Sequence, residues 1–276
     1  MDKHKDAGTY DAPDDWRVFD PGGPWTSRLR QGQIGDCYLM AVMAAIAVKD
    51  KRYLRSIIRE AGDRLYEVRL FVPLANGKYR PEWVTVDTCF PKNDHGRWLY
   101  ARLVRSPRTG LPVIWAAFVQ KAVAKLNEEH KIFKPNAGYQ GIGKGASSAR
   151  AFEVLTGHRS RVLWVKQASD GQVWSEFQRA ANGDYMTAST FAEGPGIYDN
   201  HAYTVIGIEY SDGQRLVKMR NPWGRKSPAN LYGGDGVFAI SLPMFRTYYH
   251  RIVRSRRCSP ARYHDWLGRP RVSPSQ

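Results

Sequence analysis

A chain of 276 residues with 42% hydrophobic and 12% aromatic residues is long enough for two structural units with substantial cores. Its longest apolar run, residues 37–48, is shorter than the ~18 residues that a membrane span needs, and three cysteines, a small and odd number, do not indicate a disulfide framework. The N-terminus lacks the apolar core of a signal peptide, so we expect a cytoplasmic protein. Secretion or injection as an effector without a standard signal peptide is the alternative.

Helical patterns lead the first half of the chain. Residues 1–24, rich in Asp, Gly and Pro, predict an extended arm. Asp36 is a suitable N-cap for a helix over 37–49, whose apolar residues on all sides predict a central position. The remaining predicted elements of this half are a charged helix over 50–61, strands over 65–72, 82–90 and 96–103, a helix over 112–130, a glycine-rich loop over 138–148 and a short helix over 148–156.

Short alternating segments separated by turn residues dominate from about residue 160. They predict strands, interrupted by one helix over 171–181. The predicted strands are 161–165, 185–190, 201–210, 214–220 and 236–241. A helix-led half followed by a strand-rich half predicts the α+β class, with a boundary near 157–165.

Three residues have the chemistry that a cysteine protease requires. Cys37 lies at a predicted helix N-terminus, where the helix dipole and free N–H groups are expected to lower the thiol pKa. His201 opens a predicted strand, and Asn221 ends the next strand across a hairpin, so its carbonyl can orient the imidazole. In addition to these three, Gln31 can direct an amide N–H at the oxyanion.

Each of these residues also has a purely structural interpretation. Cys37 fits a buried small hydrophobe, His201 fits a strand end, and the NPWG segment beginning at Asn221 fits a turn. Spacing alone does not choose between these interpretations and catalysis.

Several uncommon motifs, taken together, resemble the calpain-type cysteine peptidases. The segments QGQIGDCYL, HAYTVIGIE and RNPWG follow one another in that family's order. Between and after them, WAAFVQKAVAKLN, AFEVLTG and DGVFAISLPMF are similar to further segments of the family's protease core. The resemblance extends from about Trp25 to about Arg254.

The resemblance implies a papain-like fold in two lobes and a Cys-His-Asn triad acting through an acyl-enzyme. Cys37 matches the nucleophile on the central helix of a helical first lobe. His201 and Asn221 match the acid/base and the orienting amide on a barrel-like β-rich second lobe. Gln31 matches the oxyanion glutamine, and Trp223 matches the tryptophan that shields the His–Asn pair. The implied divisions are an N-terminal arm (1–24), the two lobes (25–160 and 161–254) and a basic tail (255–276).

The sequence departs from the family pattern at several positions. Tyr38 replaces a tryptophan after the cysteine, and Asn200 replaces a glycine before the histidine. Arg28 stands where the family has an acidic calcium ligand, and residues 225–230 contain no acid. Because calcium binds mostly carboxylate oxygens, we expect both family calcium sites to be weakened or lost and activity not to require calcium. An arginine can also replace the ion by pairing with a carboxylate.

Other function classes stay open. The first is a transglutaminase-like acyltransferase, although such enzymes normally have Asp in place of Asn221. The others are a non-catalytic basic binding module on a calpain-like scaffold and a nucleic-acid-binding protein without a visible motif. The net charge is +16, with eight Arg against one acid in residues 245–276, so the tail can bind acidic protein or nucleic-acid surfaces or be a solvated end. A basic cleft that prefers acidic substrate segments explains part of the charge equally well. Protein substrates are the leading expectation.

Overall fold

The computed structural model describes residues 9–136, 138–225 and 235–258. Its mixture of helices and antiparallel sheets confirms the α+β class. The helices are α1 (Cys37–Lys49), α2 (Lys51–Ser56), α3 (Trp115–His130), α4 (Gly138–Ile142), α5 (Ser148–Thr156), α6 (Asp170–Ala181) and α7 (Leu242–Tyr248). The strands are β1 (Thr9–Asp11), β2 (Ile58–Gly62), β3 (Leu65–Pro73), β4 (Tyr79–Asp87), β5 (Phe90–Lys92), β6 (Val104–Arg105), β7 (Pro112–Val113), β8 (Arg161–Trp164), β9 (Tyr185–Thr190), β10 (Ala202–Ser211), β11 (Gln214–Arg220), β12 (Val237–Ser241) and β13 (Tyr249–Ser255).

Helix α1 is the centre of one hydrophobic core. Ten of its residues are buried, as its uninterrupted apolar sequence predicts. Helix α5 packs on it, and α3 and the three-stranded antiparallel sheet β2-β3-β4 contribute side chains to the same core. Each fully buried Leu, Ile, Val or Met side chain contributes roughly 1.5–3 kcal/mol, so this helix is firmly fixed.

A second hydrophobic core lies on the six-stranded antiparallel sheet. The strand order is β12-β11-β10-β9-β13-β8, and α6 and α7 contribute buried side chains to this core. Strands β10 and β11 form a hairpin in which Asp212 and Gly213 both have positive φ, as a two-residue type I′ turn requires. The hairpin brings the start of β10 beside the end of β11.

Helix α1 packs directly on this sheet. The hydroxyl of Thr204 in β10 donates to the carbonyl of Ala41 at 2.8 Å, and Lys49 Nζ donates to the carbonyl of Ile206 at 2.7 Å. The helix that begins at Cys37 is therefore bound to the strand that follows His201.

Two predicted elements are wrong. The helix expected over 50–61 ends at Ser56, because residues 58–62 pair with β3. The strand expected over 96–103 is an irregular segment. Its backbone bonds the loop that precedes α1 and contains Gln31, called the glutamine loop below, and not a neighbouring strand. Gln33 N–H donates to the Leu99 carbonyl, and Arg102 N–H donates to the Arg30 carbonyl.

Three further expectations need adjustment. The glycine-rich segment 138–148 begins with α4 rather than running as a loop throughout. The extended N-terminal segment is not free, since β1 pairs with β5 and Trp16 packs on the first core. The segment expected as a tail from 255 begins inside β13, and Arg257 Nε bonds Asp50 Oδ2 at 3.2 Å. Residues 259–276 of that tail lie outside the described residues, as do 226–230.

Among the described helices, none combines the length and the apolar composition that crossing a membrane requires.

Candidate active site

Cys37 is the first residue of α1 and its thiol is partly buried. The backbone amide of Ala202, the residue after His201, lies close to the thiol and favours its ionised form. The thiol therefore lies against the strand end that carries the histidine. The position of Asp36 before the helix is as predicted.

The side chain of Asp36 does not cap the helix, contrary to expectation. It is fully buried and accepts from Gln120 Nε2 at 2.5 Å, while Gln120 Oε1 accepts from the Ala101 N–H at 2.9 Å. Burial raises the pKa of Asp36 to about 7. This chain of bonds anchors the start of α1 to the irregular segment near residue 100.

Burial raises the pKa of the Cys37 thiol to about 11, and the Asp36 carboxylate adds to the rise. The N–H groups of Ala202, Tyr38 and Cys37 itself oppose it. The expectation that the helix N-terminus lowers this pKa is therefore wrong for the free protein, because desolvation outweighs the N–H donors.

His201 and Asn221 meet across the β10–β11 hairpin. Thr204 pairs with Arg220 in the ladder, so the residues beyond both strand ends face each other. His201 Nε2 lies 3.0 Å from Asn221 Oδ1. The same oxygen accepts the Trp223 backbone N–H at 3.0 Å, which fixes the amide orientation because that donor needs an oxygen. His201 Nε2 therefore carries the hydrogen, and Nδ1 is the basic nitrogen of the neutral ring.

Aromatic rings enclose the pair. The Trp223 ring centroid lies 4.6 Å from that of His201, Tyr203 lies 4.9 Å from His201 edge-on, and Tyr198 packs 4.5 Å from Trp223. Burial lowers the pKa of His201 to about 4, although the Asn221 bond opposes the shift. The lowered pKa of His201 and the raised pKa of the Cys37 thiol together favour a neutral imidazole and a neutral thiol before substrate binds.

Gln31 belongs to the same neighbourhood. Its backbone N–H donates to the carbonyl of Pro222, the residue after Asn221, at 2.9 Å. Its buried Nε2 donates to the Ile34 carbonyl at 2.8 Å, which leaves a second amide N–H for a ligand. Gly32 is required next to it, since a Cβ there would lie 1.8 Å from the Tyr100 carbonyl oxygen.

The two departures beside the nucleophile and the histidine fit locally. Tyr38 is buried and its hydroxyl donates to the Ile142 carbonyl at 3.1 Å. Asn200 has φ of +44°, in the left-handed region that glycine favours and asparagine tolerates.

Arg28 does not offer a calcium ligand. Its Nε bonds Asp20 Oδ2 at 2.8 Å, and the Ser106 hydroxyl donates to the other oxygen of that buried carboxylate. The carboxylate is thus already neutralised by a guanidinium. The donor set at this position does not fit a calcium ion.

Arg220 is a functional candidate that sequence reasoning missed, although it opens the RNPWG motif. Its side chain is fully buried, and Nη2 donates to the carbonyls of Thr26 at 2.9 Å and Leu29 at 2.8 Å. It also pairs with Asp235 at 3.3 Å. Arg220 therefore joins the end of β11, next to Asn221, to the segment that leads into Gln31.

A possible metal cluster elsewhere has no further support. Within the described ranges, Glu82, Glu129 and His130 have ligand atoms close enough to share an ion. Glu82 already pairs with Arg80 at 2.9 Å and with His130 at 3.1 Å. These contacts are sufficient to explain the grouping.

Comparisons with known proteins agree with the motif order. The model of the calpain family cysteine proteases matches residues 10–232. Calpain-8 of Rattus norvegicus is 27% identical over 271 residues, covering 85% of this chain and 36% of the relative. Calpain-9 of Homo sapiens is 27% identical over 82% of this chain and 31% of the relative. The calpain-type cysteine protease DEK1 of Arabidopsis thaliana is 25% identical over 77% of this chain and 9% of the relative. The chain thus spans about a third or less of these relatives.

Proposed function

Because the chain belongs to the calpain family of cysteine proteases, we propose that it is an endopeptidase that hydrolyses peptide bonds in proteins through Cys37, His201 and Asn221. The observation that carries this proposal is the 3.0 Å contact between His201 Nε2 and Asn221 Oδ1, with the Cys37 sulfur beside the next residue of the same strand. The two cores would form the lobes of a papain-like fold, over 25–160 and 161–254.

The chemistry begins from a neutral pair. His201 Nδ1 accepts the Cys37 proton as the sulfur attacks the substrate carbonyl carbon. The free N–H of the Gln31 amide donates to the oxyanion. The C–N bond then breaks and the imidazolium protonates the leaving amine. Water, deprotonated by the imidazole, hydrolyses the acyl-enzyme and regenerates the thiol. Asn221 and Trp223 keep the imidazole oriented and shielded from water.

We also propose that the activity does not require calcium. In place of an acidic ligand, Arg28 pairs with Asp20, and Arg220 bonds the Thr26 and Leu29 carbonyls while it pairs with Asp235. The Arg220 bonds join the segment that leads into Gln31 to the β10–β11 hairpin without an ion, and the Arg28–Asp20 pair lies within that segment.

Asn221 favours a peptidase over a transglutaminase-like acyltransferase, because such acyltransferases usually have Asp at this position. Cys37 and Cys89 are both free cysteines, which is consistent with a reducing, cytoplasmic location.

The test compares wild type with Cys37→Ala for casein cleavage and self-cleavage in excess EGTA and in calcium. Cys89→Ala is the matched control, because Cys89 is also a free, partly buried cysteine. We expect cleavage by wild type and Cys89→Ala under both conditions and none by Cys37→Ala. Cleavage by folded Cys37→Ala would contradict the assigned nucleophile, and a strict calcium requirement would contradict only the calcium proposal.

A further inference from the structure

A cluster of aromatic and cationic side chains lies at one edge of the six-stranded sheet. The Trp164 and His250 rings stack 5.9 Å apart, and the Phe191 ring lies 6.0 Å from His250. Lys166 Nζ lies 4.4 Å from the Phe191 centroid, and the Arg251 guanidinium carbon lies 5.9 Å from the Trp164 centroid. These five residues are called the edge patch below.

The edge patch is exposed although it is aromatic. Trp164 is 48% and Phe191 40% exposed, and Val162, also on β8, is 39% exposed. Large apolar side chains grouped in this way at a surface are typical of an interaction site. Strand β8 is the last strand of the sheet as described, so it has backbone donors and acceptors available to an extended segment.

The cations of the edge patch have no carboxylate partner. Among the described residues, neither Lys166 nor Arg251 forms an ion pair with an acid. The buried Arg251 Nε atom accordingly has no hydrogen-bond partner. The two other arginines of this sheet that are not exposed do have one, Arg254 with Glu176 at 2.6 Å and Arg220 with Asp235 at 3.3 Å. Unpaired, partly desolvated cations beside aromatic faces are suited to an anionic group.

The edge patch is connected to the proposed catalytic histidine. Thr190, which precedes Phe191, donates its backbone N–H to the His201 carbonyl at 3.0 Å. On the neighbouring strand β13, the register against β9 shifts between Tyr249 and Arg251. Such a bulge re-aims the inserted residue, here His250, and bulges are common beside active sites.

From these observations we infer that the edge patch binds an acidic, extended segment of the protein substrate, on the same sheet as His201 and outside the catalytic site. The inference rests on the proposed peptidase function, since it names the substrate class of that peptidase. Carboxylates of the segment would pair with Arg251 and Lys166, while its backbone lies along β8 and its apolar atoms contact Trp164 and Phe191.

Binding is measured first, in a Cys37→Ala background, so that the result does not depend on cleavage. The probe is a fluorescent peptide rich in Asp and Glu, compared with the same peptide carrying Asn and Gln. We expect the acidic peptide to bind about 5–10-fold more tightly at low salt, with the preference shrinking as salt rises. Equal binding of the two peptides would overturn the inference.

Substitutions locate the site. Arg251→Gln, Lys166→Gln and Trp164→Ala should each weaken the acidic peptide ~3–10-fold and change the amide peptide less than about twofold. Lys166 is exposed, so its variant tests charge without threatening the fold. Arg179→Gln, at an exposed cation of α6, is the matched control and should leave both peptides unchanged. The inference would be overturned if the patch variants bound the acidic peptide as tightly as Arg179→Gln does. It would also be overturned if a single-stranded oligonucleotide or a second copy of the chain bound in place of the peptide.

Cleavage then separates the two proposals. Wild type should cleave a substrate with an acidic flank at a higher kcat/KM than its amide counterpart, and Lys166→Gln should reduce that ratio. Equal cleavage of both substrates would refute the edge patch and leave the peptidase function standing. Acid-selective binding by a folded protein that cleaves neither substrate would refute the peptidase function and leave the edge patch standing.

Discussion

Replacing Arg220 by methionine tests how the two parts of the active site are held together. The guanidinium is fully buried and bonds two backbone carbonyls, those of Thr26 and Leu29, as well as Asp235. Methionine has a similar volume and no donors. The substitution therefore removes the bonds while it keeps most of the packing.

The expected loss of stability follows from these contacts. A hydrogen bond to a charged group contributes about 1.5–3 kcal/mol, so the two carbonyl bonds of Arg220 amount to ~3–6 kcal/mol. The Asp235 side chain is 25% exposed, so water can solvate it after the loss. We expect a net destabilisation of ~3–5 kcal/mol, the usual result of breaking a buried charged pair. In a chain of this size, that corresponds to a fall in Tm of roughly 6–20 °C.

Urea unfolding and thermal unfolding measure the stability, and peptide cleavage below the lowered Tm measures kcat. Arg220→Met should lose kcat even where it is folded, because Asn221 follows it directly. Arg215→Met is the control on the same strand, since Arg215 is exposed and should change stability by less than about 0.5 kcal/mol. A change below ~1 kcal/mol in Arg220→Met, with normal kcat, would refute the assigned role.

Three further predictions concern the proposed catalytic residues. His201→Ala should abolish turnover as fully as loss of the thiol, and Asn221→Ala should retain more activity because it removes only orientation; near-normal turnover in His201→Ala would mean that the base is another residue. Gln31→Ala should lower kcat by ~10²–10³ with little change in KM, whereas a pure KM effect would identify a substrate-binding role. The pKa of His201 is lowered from 6.5 to about 4 in the folded protein, so between these pH values the unfolded state binds more protons than the folded state. The free energy of unfolding should therefore fall by up to ~3 kcal/mol as the pH drops from 6.5 to 4. Urea midpoints of wild type and His201→Gln across this range measure the difference, and an equal pH dependence in both would show that His201 is charged in the folded protein.

The main helices and strands could be predicted because their patterns are local. The buried helix from Cys37 to Lys49 and the β10–β11 hairpin follow from apolar periodicity and from a turn sequence with positive φ. The hairpin geometry in turn predicted that His201 and Asn221 lie close together. The 3.0 Å contact between them confirms that part of the expectation.

The incorrect elements depended on distant partners. Residues 58–61 have a helical pattern, but pairing with β3 stabilises them as a strand. The apolar residues Leu99, Tyr100 and Ala101 are buried as a strand would be, although their backbone bonds the glutamine loop and the Gln120 side chain. Local propensity does not contain this information.

The electrostatics of the site could not be predicted either. A cysteine at a helix N-terminus favours a low thiol pKa, but burial of Cys37 beside the carboxylate of Asp36 reverses the direction. Similarly, Arg220 stands in the RNPWG motif, but the motif does not indicate which groups the guanidinium contacts. Its role became visible only when the Thr26 and Leu29 carbonyls were found within bonding distance.

Mass spectrometry of the protein after reaction with a peptide-based electrophile tests the central claim most directly. The account predicts one covalent adduct, mapped to Cys37, formed in excess EGTA. The adduct should be absent in Cys37→Ala, greatly slowed in His201→Ala and unchanged in Cys89→Ala. An adduct on Cys89 or Cys258 instead, or equal labelling of Cys37 with and without His201, would contradict a Cys37–His201 nucleophile.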